Sequence, residues 1–217
     1  MRLSKHKHLL AYSILFWLPA IIFCYIAGEI LERQPFYLDT AVLNWIHAHS
    51  SYFLDNFFLV LTTIGNAEII APIALLISGL LYYKRYRQKA IIVFTAFFGA
   101  AAANLILKLL FHRTRPAFWQ SAIHETGYSF PSGHAMMSSA LVLSIIVLVW
   151  NTRWQWFAIG IGMPFVALVG YSRLYLGVHY PTDVIAGWLA SAAWLSIVVF
   201  TLHGYPTIKA RFTKHPQ

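Results

Sequence analysis

Six apolar runs limit what this chain can fold into more than any other feature. They cover residues 9–27, 57–83, 90–107, 135–150, 156–169 and 184–202. A helix needs roughly 17–25 apolar residues to cross a bilayer, where every backbone polar group must be satisfied internally. Four runs are long enough alone, while 135–150 and 156–169 need a few flanking polar residues to reach full length. The run 57–83 is interrupted by Asn66 and Glu68 and reads as one span. Only 11% of the 217 residues are charged and 59% are hydrophobic, whereas a soluble domain carries about a quarter charged residues. The chain therefore reads as all-α: an integral membrane bundle of six transmembrane helices. It forms a single domain over 1–217 with no linker, repeat or low-complexity tract. The first run follows a basic stretch but exceeds the roughly 7–15 residues of a signal-peptide core, so it reads as an uncleaved span. Cys24 is the only cysteine, so no intramolecular disulfide is expected.

The net charge of +9 suggests nucleic acid until its distribution is considered. Arg2, Lys5 and Lys7 precede the first span; Lys84, Arg85, Arg87 and Lys89 lie between the second and third. Arg153 lies between the fourth and fifth, and Lys209, Arg211 and Lys214 follow the sixth. With six alternating spans these cations share one side, and all seven acidic residues fall outside these segments. Cytoplasmic loops collect lysine and arginine, so both termini are expected in the cytoplasm and no nucleic-acid partner is expected. On the outer side, residues 28–55 form the longest non-spanning piece. Leu38, Val42, Trp45 and Ile46 recur there at helical spacing, which predicts a short interfacial helix anchored by Trp45. Pro19 and Pro164 predict kinks in the first and fifth spans. Gly99, Ala100, Ala103, Gly160 and Gly162 suit close helix contacts.

The same topology brings three polar motifs to the outer face. Lys108 with Arg115-Pro116 ends span three, Pro131-Ser132-Gly133-His134 begins span four, and Ser172-Arg173 ends span five ahead of His179 and Asp183. Ser132 suits a helix cap and Gly133 lets a ligand approach the backbone. A helix start of this kind either caps itself or binds phosphate through its free N–H groups. Lys108, Arg115 and Arg173 are cations at membrane depth, costly there and suited to phosphate oxygens. Arg113 lies outside the motif and reads as a cation snorkelling to lipid headgroups. Pro181 suits the first turn of span six. Asp183, four residues after His179, is placed to accept from one imidazole nitrogen and leave the other as a nucleophile. His134 is the second histidine, positioned to protonate a leaving oxygen. His47 and His49 form an H-x-H read first as interfacial histidines and only then as a metal site, and His124 and Glu125, between the first two motifs, read first as ordinary loop residues and only then as contacts to a substrate headgroup. Glu68 reads as a carboxylate near the outer rim or facing the bundle interior.

Written as K-x6-R-P, P-S-G-H and S-R-x5-H-x3-D, the motifs resemble the signature of the type-2 phosphatidic acid phosphatase superfamily, its bacterial membrane branch in particular. They match without gap or substitution, and the resemblance covers nearly the whole chain. It implies a lipid phosphate or diphosphate phosphatase of the bacterial inner membrane, with its active site facing outward and undecaprenyl diphosphate the favoured substrate. His179 would carry a phosphohistidine, Asp183 would orient it, and His134 would protonate the leaving group and then activate water. Lys108, Arg115, Ser132, Gly133 and Arg173 would hold the phosphoryl oxygens. The implied cofactor set is empty: no metal is expected, and no carboxylate cluster suits Mg²⁺. The implied partners are the lipid substrate and membrane lipids. A phosphatidylglycerophosphate or phosphatidic acid phosphatase and a lipid phosphotransferase are the near alternatives. A vanadium haloperoxidase of the same superfamily would be soluble, against the six runs. A transporter would explain spans and buried cations but not the spacing of the histidines and Asp183.

Overall fold

The computed structural model describes residues 2–32 and 37–204, with side chains described over 13–32 and 37–202. Arg33, Lys209, Arg211 and Lys214 lie outside the described residues, as do the side chains of Arg2, Lys5 and Lys7. In chain order the helices are α1 (Arg2–Leu31), α2 (Tyr37–Ala48), α3 (Tyr52–Ile64), α4 (Ala67–Tyr83), α5 (Arg87–Phe111), α6 (Gly133–Val149), α7 (Gln155–Tyr175) and α8 (Pro181–Val199). A π-helical turn, Phe200–Gly204, follows, and no strand occurs among the described residues.

Helix ends follow local chemistry. The Ser132 hydroxyl accepts from the Ala135 N–H at 3.5 Å, so Ser132 caps α6. Pro181 opens α8, where its missing N–H costs nothing. At the other end of the motif-bearing helices, α5 stops at His112, whose φ of +47° turns the chain off the axis.

Ser13–Leu31, Arg87–Phe111, Gln155–Tyr175 and Pro181–Leu202 are long and apolar enough to cross a membrane. Their outward faces are apolar as well: Leu105, Ile106, Leu109 and Leu110 on α5 are each more than half exposed. The protein is thus a multi-pass membrane protein. The second run departs from the single straight span expected. It breaks into α3 and α4, which bend by 41° and make a fifth candidate only as a pair. Asn66 stands at the N-cap position of α4, so the residue read as an interruption is a helix boundary. The fourth run also departs: α6 has 17 residues, about 26 Å of helix, and falls below the length the other candidates meet.

The short α6 is also the most enclosed helix, packed against α4, α5, α7 and α8. Glycines let its neighbours approach. A Cβ on Gly187 of α8 would stand 2.9 Å from the Ser132 carbonyl oxygen and 3.1 Å from the Met136 nitrogen. Gly99 accepts Trp194 and Gly162 accepts Val142, as expected of small contact residues, but Gly160 has nothing within 4 Å and does not serve in that way. The expected interfacial helix is α2. It buries Asp39, Leu43 and Ile46 against α7 and α8 and leaves Leu38 and Trp45 exposed. Pro19 and Pro164 both lie inside continuous helices.

Candidate active site

Four helix ends build the site: the last turns of α5 and α7 and the first turns of α6 and α8. Two backbone and side-chain ties fix their relative depth. The Ser132 N–H donates to the Asp183 carbonyl at 3.0 Å, joining the start of α6 to the start of α8. Asn104, one turn before Lys108 on α5, donates to the Pro131 carbonyl at 3.0 Å. Its Oδ1 would lie 3.1 Å from a Cβ on Gly133, so glycine there keeps the backbone against α5.

His179 is buried between these ends. Arg115 Nη1 donates to its Nε2 at 3.2 Å, and its Nδ1 lies 3.3 Å from Asp183 Oδ2. A guanidinium only donates, so Nε2 is the unprotonated nitrogen and Nδ1 carries the proton given to Asp183. The Asp183 Oδ2 also accepts from the Tyr180 N–H at 2.9 Å, which stops the carboxylate turning away. Burial pushes the His179 pKa down to about 4; the Asp183 hydrogen bond and charge oppose the fall, while Arg173 and Arg115 reinforce it. The ring is therefore neutral at pH 7.

Around Nε2 stand the cations of the motifs. Arg115 is held by the carbonyls of Gly127, Thr126 and Val178 at 3.1, 3.2 and 2.9 Å. Arg173 is almost wholly buried; its Nη1 donates to the Thr62 hydroxyl at 2.5 Å and its Nη2 to Glu125. The Nε of Arg173 is buried and has no hydrogen-bond partner among the described residues. Lys108 and His134 are half-buried and near enough to Arg173 and Glu125 to interact with their charges. Ser132 and Gly133 present the first turn of α6 to the same space. All eight residues singled out by the motifs, His179, His134, Asp183, Lys108, Arg115, Ser132, Gly133 and Arg173, are thus brought to one end of the bundle.

Three residues correct the sequence reading. Arg113 does not snorkel: it bridges Asp39 of α2 at 2.8 Å and Asp183 at 2.5 Å. Its partners approach from helices remote in sequence, which the motif spacing does not encode. Glu125 is not an ordinary loop residue, because it joins Arg173 and Arg115, the latter at 3.4 Å. Burial alone would raise the Glu125 carboxyl, but the charge and hydrogen bond of Arg173, then the charge of Arg115, hold it below its usual value. Asp39 passed unnoticed as one carboxylate of an interfacial helix. The remaining candidates fall where ordinary residues fall. His124 is exposed beside a cavity of about 490 Å³ whose lining also includes Arg115, Trp119 and Glu125. His47 stacks on Trp119 with ring centres 4.3 Å apart, and His49 lies 2.7 Å from the Trp45 carbonyl. Glu68 is exposed in the first turn of α4.

Spanning helices with three cations, two histidines and a buried carboxylate gathered at one end define a membrane protein that handles an anion. The PAP2 superfamily model matches residues 70–206, and the chain belongs to that superfamily. It is 29% identical over 201 residues to an undecaprenyl-diphosphatase from Sulfolobus acidocaldarius, covering 90% of this chain and 91% of that protein. It is 31% identical over 134 residues to phosphatidylglycerophosphatase B from Bacillus subtilis, covering 59% of this chain and 65% of that protein. Its fold resembles the crystal structure of a transmembrane PAP2-type phosphatidylglycerolphosphate phosphatase from Bacillus subtilis. The TM-score there is 0.76 at 24% identity, over 89% of this chain and 96% of that one.

Proposed function

We propose that this lipid phosphate phosphatase hydrolyses a lipid diphosphate without a metal, through a phosphohistidine on His179, with undecaprenyl diphosphate the favoured substrate. One observation carries the mechanism: His179 is held by Asp183 at Nδ1 while its unprotonated Nε2 accepts from the Arg115 guanidinium. A phosphoryl oxygen that takes over the Arg115 N–H would release the Nε2 lone pair toward phosphorus. Nε2 attacks phosphorus, the bond from phosphorus to the lipid-side oxygen breaks, and His134 gives that oxygen a proton. Water then attacks the phosphohistidine, His134 takes the water proton, and inorganic phosphate leaves with His179 neutral again. Lys108, Arg115, Arg173 and the first amides of α6 would hold the charge that builds on the phosphoryl oxygens. The Nε of Arg173, without a partner among the described residues, supports this, since a buried donor calls for an acceptor. In this reading the cations of the motifs, rather than a metal, would neutralise the phosphoryl charge.

The diphosphate preference rests on the relative matched along nine-tenths of both chains. A phosphatidylglycerophosphate substrate is the second reading, favoured by the Bacillus subtilis phosphatidylglycerophosphatase B. We further propose six spans, with α6 completed by its motif residues, both termini in the cytoplasm and the site on the outer face of a bacterial inner membrane.

Phosphate release from undecaprenyl diphosphate and from phosphatidylglycerophosphate, measured in detergent, tests both substrates. Release is expected to survive EDTA, to be blocked by vanadate and to vanish in His179→Ala. Full activity in that variant refutes the nucleophile, loss in EDTA refutes the metal-free route, and added acceptor lipid that captures the phosphoryl group makes the enzyme a transferase.

A further inference from the structure

Asp183 uses only one of its oxygens on His179, and what holds the other is a residue that none of the three motifs specifies. Oδ2 accepts from His179 Nδ1 and the Tyr180 N–H. Oδ1 accepts from Arg113 Nη1 at 2.5 Å. Arg113 is itself fixed on three sides. Its Nη2 donates to Asp39 Oδ2 at 2.8 Å, its Nη1 to the Thr182 hydroxyl at 2.7 Å, and its guanidinium lies 4.1 Å from the centre of the Tyr180 ring. Asp39 is buried and closes the network: Oδ1 accepts from the Thr182 N–H at 3.0 Å and Oδ2 from the Thr182 hydroxyl at 2.6 Å. The chain of groups runs from α2 through the loop after α5 to the first turn of α8, and ends on the imidazole.

We propose that Arg113 and Asp39 are positioning residues that keep Asp183 ionised and oriented, and thereby keep the His179 proton on Nδ1. This rests on His179 being the nucleophile. The physical reason is the cost of a bare carboxylate. Asp183 is fully buried, and a buried carboxylate without a cation takes up a proton. A protonated Asp183 no longer fixes the His179 tautomer, and Nε2 is no longer assured as the free nitrogen. Asp39 anchors the guanidinium and shares its charge, so it sets how much of that charge Asp183 feels.

A purely structural ion pair would tie α2 to α8 and do nothing else, so the test reads the pH profile. The charged and titratable groups around His179 are Asp183 on α8, Arg173 on α7, Arg115 and Glu125 on the loop, His134 on α6 and Lys108 on α5, with Arg113 and Asp39 behind Asp183. Removing the Arg113 cation either makes Asp183 a stronger base partner, which favours imidazolium, or lets Asp183 protonate. Both move the acid limb of kcat/KM to higher pH, by about one unit or more, the size of shift an adjacent opposite charge produces.

The experiment compares full-length wild type with Arg113→Gln, Arg113→Lys and Asp39→Asn, following phosphate release from undecaprenyl diphosphate in detergent across pH. Arg113→Gln is expected to lower kcat at least tenfold, with KM and vanadate inhibition within about twofold because the phosphate donors are untouched. Its acid limb rises, and Arg113→Lys brings the limb back toward the wild-type position. Asp39→Asn, which removes the anion sharing the guanidinium, moves the limb to lower pH, so the proposal stays testable if Arg113→Gln fails to fold. Wild-type limbs in the variants that fold, whatever their kcat, overturn it. His179→Ala is assayed alongside. An inactive His179→Ala with unmoved limbs removes only the positioning role, whereas an active one removes the nucleophile and this proposal together.

Discussion

The imidazole of His179 lies where two demands meet. As a nucleophile it must be neutral, yet it stands among cations that hold an anion. Burial first, then the charges of Arg173 and Arg115, lower its pKa to about 4 against the pull of Asp183. The ordinary value near 6.5 would leave a solvated histidine about a quarter protonated at pH 7. The consequence is an acid limb with a known sign. Neutral Nε2 persists above about 4, so loss of the nucleophile is expected to lower kcat/KM only as pH nears the His179 value. An acid limb centred near 6.5 instead would mean that the reacting nitrogen is solvated, against the buried ring seen here. Replacing Arg173 by lysine keeps charge but loses the planar fork that reaches Thr62 and Glu125 together. Glu125 would then have Arg115 alone as its ion-pair partner, so that variant perturbs the loop as well as the phosphate site.

At the scale of helices, the site depends on how closely α6 and α8 approach. A Cβ at position 187 would collide with two backbone atoms of α6, and backbone cannot swing aside as a side chain can. Gly187→Ala is therefore expected to cost about 1–3 kcal/mol, the usual range for overpacking, and to lower phosphate release because Ser132, Gly133 and His134 ride on α6. Gly160→Ala, in open space on α7, is the matched control. It should be neutral or raise the thermal midpoint in detergent, since alanine favours helix over glycine by about 0.5–1 kcal/mol. Equal midpoints and equal activities for the two variants would rule out the close α6–α8 packing. The sequence marked the motif-bearing helix ends well: Ser132 and Pro181 declare helix starts by chemistry that acts within one turn. It marked Gly99 and Gly162 as contact residues but passed over Gly187, since a glycine beside apolar neighbours looks the same whether it faces lipid or a helix. Arg113 and Glu125 were illegible for a related reason. Their partners lie 74 and 48 positions away, and nothing local to either residue records which remote segment folds over it. The bend after Gly65 stayed hidden because α3 and α4 are both apolar enough to read as one run.

For the whole molecule, the unequal ends of the bundle argue for one orientation. The site occupies the end where α5 and α7 finish and α6 and α8 begin. Lys84, Arg85, Arg87 and Lys89 lie at the start of α5, and Arg153 precedes α7. The 25 residues of α5 make about 37 Å of helix, so those cations stand a membrane thickness from the site. Lysine and arginine near span ends set orientation by staying in the cytoplasm, and in the topology proposed above that would turn the site outward. Thiol labelling tests this directly, because Cys24 is the only native cysteine. On a Cys24→Ser background, Ala122→Cys puts a single thiol in the loop at the site end, and Thr152→Cys puts one in the loop at the opposite end. Both positions are exposed. With right-side-out membrane vesicles and a membrane-impermeant maleimide, Ala122→Cys is expected to label at once and Thr152→Cys only after detergent is added. The reverse order would invert the protein and place phosphate release in the cytoplasm. Because each single-cysteine variant is also assayed for phosphate release, that result would overturn the orientation while leaving the chemistry at His179 untouched.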